Sequence, residues 1–260
     1  MKRRDTTRKR IRRGRATGGF ALIITLAFAL GARGQGKAEF DLSAVGGGGI
    51  GELGHRLGRA GWGGSFYGGW LLPGTPFSLG VRLAMVNYGS EHNVDLAGYS
   101  DAAPKGVKYN YNILFTHLVL RAQPRPSLLT PYLEVMAGLS YFFTQAYGGA
   151  DGSVPFMIGD AVLVMNQSDS TTLVSSVAPS VGLGGGLKFR LAQFSSGREG
   201  TGARLALFLD VQGRYLIGGR AKYLRPGSMA LDRDRLFYDI QRSRTDFFCF
   251  SLGLSLRKSS

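Results

Sequence analysis

Three histidines, a single cysteine and scattered carboxylates are the residues of this chain best suited to chemistry. His92 has Ser90 and Asp95 as near neighbours, the residue types of a base, a nucleophile and an orienting group. Such a trio works only when a scaffold holds base and nucleophile in hydrogen-bond reach, and none of the three lies in a recognisable nucleophile motif. His55 and His117 stand apart from any comparable set. The run GGGG at 46–49 lacks the strand-to-helix context of a phosphate-binding loop, and nothing in the spacing of Cys and His suits a metal. Cys249 is the sole cysteine and cannot form an internal disulfide. The residues therefore point to a non-enzymatic protein with no cofactor.

A second set of charged residues is more regular. Arg82, Glu134, Lys188, Arg190, Asp210 and Arg214 each fall on the polar parity of a segment whose other parity is apolar. In ARLALFLDVQGRYLI at 203–217, Leu205, Leu207, Leu209, Val211, Tyr215 and Ile217 alternate with Arg204, Phe208, Asp210, Gln212 and Arg214. The closing segment DFFCFSLGLSLRK at 246–258 sorts Phe248, Phe250, Leu252, Leu254 and Leu256 from Cys249, Ser251, Gly253, Ser255 and Arg257. A period of two belongs to a strand, whose successive side chains point to opposite faces.

Eight such segments run along the chain, at 40–50, 63–72, 77–88, 109–122, 131–145, 176–191, 203–217 and 246–258. The connections between them alternate, with long ones of about 12, 20, 30 and 28 residues and short ones of about 4, 8 and 11. Sorting loops by length in this way gathers short turns at one end of a meander and long loops at the other, the habit of outer-membrane barrels. The fold class expected is all-β, an eight-stranded antiparallel up-and-down transmembrane β-barrel with its apolar parity in lipid. An eight-stranded lumen is just wide enough to be filled by side chains, which accounts for the Gly and Ser on the inward parity. The six charges form a lumen polar network: Glu134 and Lys188 pair, Arg190 competes, and Arg82 bridges to Asp210.

Local breaks in the pattern carry further expectations. In the fourth segment Tyr111, Ile113 and Phe115 share one parity while Leu118 and Leu120 share the other, which predicts a bulge near Thr116 and His117. Pro179 removes a ladder donor and predicts a bulge or an irregular extension. Interfacial aromatic belts are expected at Tyr141, Phe143, Tyr215, Phe247 and Phe248 at one end and Trp70, Phe77 and Phe189 at the other. VPFMIGDAVLVMN at 154–166 is apolar enough for a hairpin of its own, and LFYDI at 236–240 for a short docked element.

The formal charge of +15 suggests nucleic acid until its location is considered. MKRRDTTRKRIRRGR at 1–15 precedes the apolar run FALIITLAFAL at 20–30 and the triplet Ala32-Arg33-Gly34, the three parts of a signal peptide cut before Gln35. Residues 1–34 contain ten basic residues and one acidic residue, so the remaining chain, 35–260, carries about +6 and loses its case for nucleic acid.

PYLEVMAGLSYFF, PSVGLGGGLKFRL and LFLDVQGRYLIGGRAKYL resemble strands of the outer-membrane-protein β-barrel domain family, which includes the OmpA transmembrane domain and OmpX. The resemblance runs from about residue 40 to 258. It implies an eight-stranded barrel inserted by the outer-membrane assembly machinery; the expected location is the outer membrane of a Gram-negative bacterium, as a monomer, and the even strand count returns both termini to the periplasm. Outer-membrane lipid is the expected partner. The last long connection, 218–245, has seven basic and three acidic residues, and reads either as a solvated loop or as a contact for lipopolysaccharide phosphates or an acidic partner. The function expected is a non-enzymatic contribution to envelope integrity or surface interaction; a narrow gated channel is the alternative, and a rim-located hydrolase the third reading.

Overall fold

The computed structural model describes residues 37–92, 108–147, 154–158, 161–165, 170–195, 204–232 and 235–259. The expected signal peptide with its cleavage point, and Asp95 in the second long connection, lie outside the described residues.

Eight strands close into one antiparallel barrel: β1 (Ala38–Gly49), β2 (Ala60–Leu71), β3 (Phe77–His92), β4 (Lys108–Ala122), β5 (Leu129–Tyr147), β8 (Ser170–Ser195), β9 (Arg204–Gly218) and β12 (Phe247–Ser259). Two hairpins and a helix occupy long connections: β6 (Val154–Ile158) with β7 (Ala161–Met165), β10 (Arg220–Asp232) with β11 (Arg235–Arg244), and α1 (Glu52–Leu57). Around the barrel the order is β1-β12-β9-β8-β5-β4-β3-β2, so each strand pairs with its neighbour along the meander and β12 closes on β1. Leu42 lies opposite Leu254 at that seam. Closure leaves no unpaired sheet edge along the shared height of the wall, which an apolar solvent requires.

The exterior follows from parity. On β12, Phe250, Leu252 and Leu254 are about half exposed while Ser251 and Ser255 are buried. Leu79, Leu118, Leu133, Leu183 and Leu187 continue the exposed apolar surface onto β3, β4, β5 and β8. An apolar surface that encircles a closed barrel can be satisfied only by lipid. Trp70, Phe77 and Phe189 are exposed near the short-turn end and Tyr215 and Phe248 near the loop end, where the stacked pair Tyr141 and Phe143, 5.1 Å between ring centroids, is half-buried.

Two expectations need correction, the bulge in β4 and the belt role of Phe247. No bulge interrupts β4 at Thr116 or His117; the register with β3 and β5 is continuous there, and the shift lies instead between Asn87 and Gly89 of β3. Tyr111, Ile113, Phe115, His117, Val119 and Arg121 all point inward and are buried, because the loop-end half of the interior is itself apolar. Phe247 is also inward, its ring 5.4 Å from that of Phe115, and is no part of a belt. Pro179 sits one residue beyond Ser180↔Gly218, the last pair joining β8 to β9, so its missing N–H falls where β8 no longer has a second ladder partner.

Candidate functional site: the barrel interior

Nine charged side chains are buried in the described barrel: Glu39, Asp41, Glu134 and Asp210 against Arg82, Arg121, Lys188, Arg214 and Arg257. Arg121 of β4 is the hub. Its guanidinium lies between two tyrosine rings, 4.1 Å from the centroid of Tyr67 on β2 and 4.3 Å from that of Tyr132 on β5. Around its edge stand three carboxylates: it donates to Glu39, lies 3.0 Å from Asp41 Oδ2, and reaches Glu134 Oε2 at 3.2 Å. Stacked faces and a carboxylate edge use both recognition modes of a planar cation.

The tyrosines fit because glycines stand beside them. A Cβ on Gly80 would come within 2.7 Å of the Tyr67 ring, and one on Gly186 within 2.6 Å of Tyr132 Oη. Glycine on the inward parity thus makes room for rings that in turn hold Arg121.

Glu134 is shared. Arg82 donates to it through both terminal nitrogens, at 2.7 and 3.1 Å, and Arg82 Nη1 also donates to Gln212 Oε1 at 2.8 Å. Since β3 and β9 stand four places apart in a ring of eight, the link from Arg82 to Gln212 crosses the full lumen. Lys188 donates to Glu39 and to Ser255 Oγ at 3.2 Å, with Asp41 3.6 Å away. Tyr132 Oη donates to Asp210 at 2.9 Å and accepts from Gln212 Nε2 at 2.6 Å. The result is one connected layer spanning the barrel toward the short-turn end.

Of the six residues expected in the lumen, Arg82, Glu134, Lys188, Asp210 and Arg214 are buried there, but the pairing differs from that expected. Glu134 meets Arg82 and Arg121, and Lys188 meets Glu39 and Asp41. Asp210 takes its hydrogen bonds from Tyr132. Arg190 stands outside the layer: the register of β8 shifts between Arg190 and Ala192, and its guanidinium donates to Gln193 at 3.3 Å in an exposed position. Glu39, Asp41, Arg121 and Arg257 extend the set beyond the six.

Above this layer the lumen changes character. His117 Nε2 lies 2.6 Å from Ser180 Oγ, which accepts from Ser140 at 3.1 Å, and both serines are buried. Serine and histidine do meet here, but no carboxylate joins them within hydrogen-bond reach among the described residues. His55, on α1, is exposed and lies at the loop end.

The loop end is filled by rings. Phe115, Phe142, Tyr88, Tyr111 and Phe247 are joined by Leu53 and Leu57 of α1 and by Ala221, Tyr223 and Leu224 of β10 in a single buried cluster. The hairpin β10–β11 works as a strap. It leaves β9 where Gly219 N donates to Pro179 O at 2.8 Å, packs Tyr223 against Phe142 at 5.7 Å, and gives the Leu224 carbonyl to Tyr88 Oη at 3.4 Å. On β3, opposite β9, Glu91 accepts from Gly227 N and from Tyr111 Oη at 3.0 Å. Gly227 takes φ of 80° at this bend, a left-handed conformation that costs a glycine little.

No protein-family model matches the chain, and no curated protein does. Solved structures with a similar course include Neisserial surface protein A, at 11% identity over 86% of this chain and 96% of that one with a TM-score of 0.42. Ail, the attachment invasion locus protein of Yersinia pestis, aligns at 10% identity over 85% and 98% with a TM-score of 0.35. A major outer membrane protein from Thermus thermophilus aligns at 12% identity over 85% and 99%, again with a TM-score of 0.35. By its own strand count, closure and lipid-facing exterior, the chain is an eight-stranded transmembrane β-barrel with the architecture of the outer-membrane barrels that its sequence resembles.

Proposed function

We propose that this chain is a non-enzymatic, non-conducting barrel of a Gram-negative outer membrane, contributing to envelope integrity and presenting its loop end for surface interaction. Both termini and the short turns then face the periplasm, and α1, the strap and the longer strand ends face outward. The observation that supports this reading is the set of contacts across the lumen. Arg82 joins Glu134 and reaches Gln212 on the opposite wall, Arg121 joins Glu39 to Glu134, and an aromatic cluster under the strap fills the other end. A permeating ion would have to displace paired charges whose partners would be left buried and uncompensated, at a cost of several kcal/mol each.

Recordings of the purified barrel in planar bilayers test this. The expected trace shows no stepwise conductance at either polarity. Reproducible unitary steps whose size changes with Arg82→Ala or whose selectivity changes with Glu134→Gln would instead establish a channel through the charged layer.

A further inference from the structure

On the exposed face of the strap, four cations occupy two adjacent cross-strand positions: Arg220 lies opposite Arg244, and Lys222 opposite Arg242. All four are exposed, while Ala221, Tyr223 and Ser243 on the opposite parity are buried. Like charges directly opposite each other destabilise a hairpin. Among the described residues only Arg244 has a carboxylate within ion-pair reach, Asp246 at 3.5 Å. The hairpin therefore carries a cost in isolation that an anion would relieve.

The placement of the ladder identifies that anion. Along β12 and β11 the same parity reads Phe250, Phe248, Asp246, Arg244, Arg242, so the exposed side of the wall passes from phenylalanine to arginine within a few residues. On the neighbouring strand Tyr215 and Ile217 give way to Arg220 and Lys222. Lys222 N donates to Ser176 Oγ at 3.1 Å, and Ser176 is paired with Phe142, next to the stacked Tyr141 and Phe143. Lys222 thus stands beside the loop-end belt residues of β5, and Arg220, Arg242 and Arg244 follow Tyr215 and Phe248 on the loop side of the belt, where lipid headgroups begin.

We propose that Arg220, Lys222, Arg242 and Arg244 form a binding site for the phosphate groups of membrane lipid in the leaflet at the loop end, with a phosphorylated glycolipid as occupant. Arginine supplies forked donors to phosphate oxygens and the paired arrangement presents two phosphate-sized positions side by side. The site rests on the transmembrane reading and on the loop end facing the outer leaflet, not on whether the lumen conducts.

The test is native mass spectrometry of the detergent-solubilised barrel titrated with diphosphoryl lipid A, with phosphatidylethanolamine and a soluble sulfated polysaccharide as separate arms. Saturable binding of lipid A is expected, weakened at least tenfold in the variant Arg220→Gln/Lys222→Gln/Arg242→Gln/Arg244→Gln and progressively weakened by salt. Faster gel migration before heating shows whether that variant still closes its barrel. If it does not close, the double variant Lys222→Gln/Arg242→Gln takes its place, with a smaller loss expected. Equal binding by wild type and variant, or equal binding of lipid A and phosphatidylethanolamine, would overturn the site. Preference for the soluble polysaccharide over lipid A would overturn its assignment to the membrane. Neither outcome would bear on conductance, which has its own measurement.

Discussion

Replacing Glu134 by alanine should destabilise the barrel by about 3–5 kcal/mol, the cost of leaving buried charge without its partner. Glu134 is the only carboxylate that Arg82 reaches within ion-pair distance among the described residues, and it also supplies one of the three around Arg121. Both arginines are almost wholly buried, so water cannot readily replace what is lost. Arg214 provides the contrast. It is equally buried, yet among the described residues its guanidinium donates only to Ser251 Oγ, at 3.3 Å, and its Nε has no hydrogen-bond partner. Arg214→Met should therefore be close to neutral or mildly stabilising. Urea unfolding in lipid vesicles, followed by the fluorescence of Trp62 and Trp70, compares the two; equal losses would contradict the assignment of Glu134 as the keystone of the layer.

The second large effect concerns the exterior. Leu252 lies near the middle of β12, about half exposed, opposite Ala44 on one side and Val211 on the other. Leu252→Arg places a guanidinium at the centre of the apolar surface and should cost about 2–4 kcal/mol in the same unfolding assay. In a water-exposed wall the substitution would be harmless. A change below about 0.5 kcal/mol would remove the membrane from this description.

The alternation that makes the barrel legible also limits what can be read of its interior. Parity separates two faces but does not say which is apolar at each height. β12 and β9 are unambiguous because their inward residues are chiefly polar toward the short-turn end. β4 misleads because Tyr111, Ile113 and Phe115 pack inside a lumen that is apolar under the strap, so an apolar residue no longer signals lipid. A bulge would reconcile the two parities, but the strand has none there. The pairing of Glu134 with Lys188 fails for a geometric reason: counting height from strand ends ignores the stagger that a closed barrel imposes. In the observed register Lys188 lies opposite Thr130 and Glu134 opposite Gly184, four residues apart. Glu39 and Asp41 escape notice because they sit at the start of β1, where too few alternations precede them to fix a parity. The strap is legible only as composition. Its basic residues and its apolar LFYDI stretch stand out in the sequence, but that Tyr223 and Leu224 turn into the barrel mouth depends on long-range contacts with β3 and β5.

Accessibility of nitroxides placed one at a time from residue 247 to 256, in a background with Cys249→Ser, tests the central claim that this strand is a barrel wall between lipid and a packed polar interior. Labels at Phe248, Phe250, Leu252, Leu254 and Leu256 should collide with oxygen and be shielded from an aqueous nickel chelate, while those at the intervening positions should be shielded from both, giving a period of two along the strand. A scan in which the chelate reaches the phenylalanine and leucine positions, or in which no period of two appears, would contradict it.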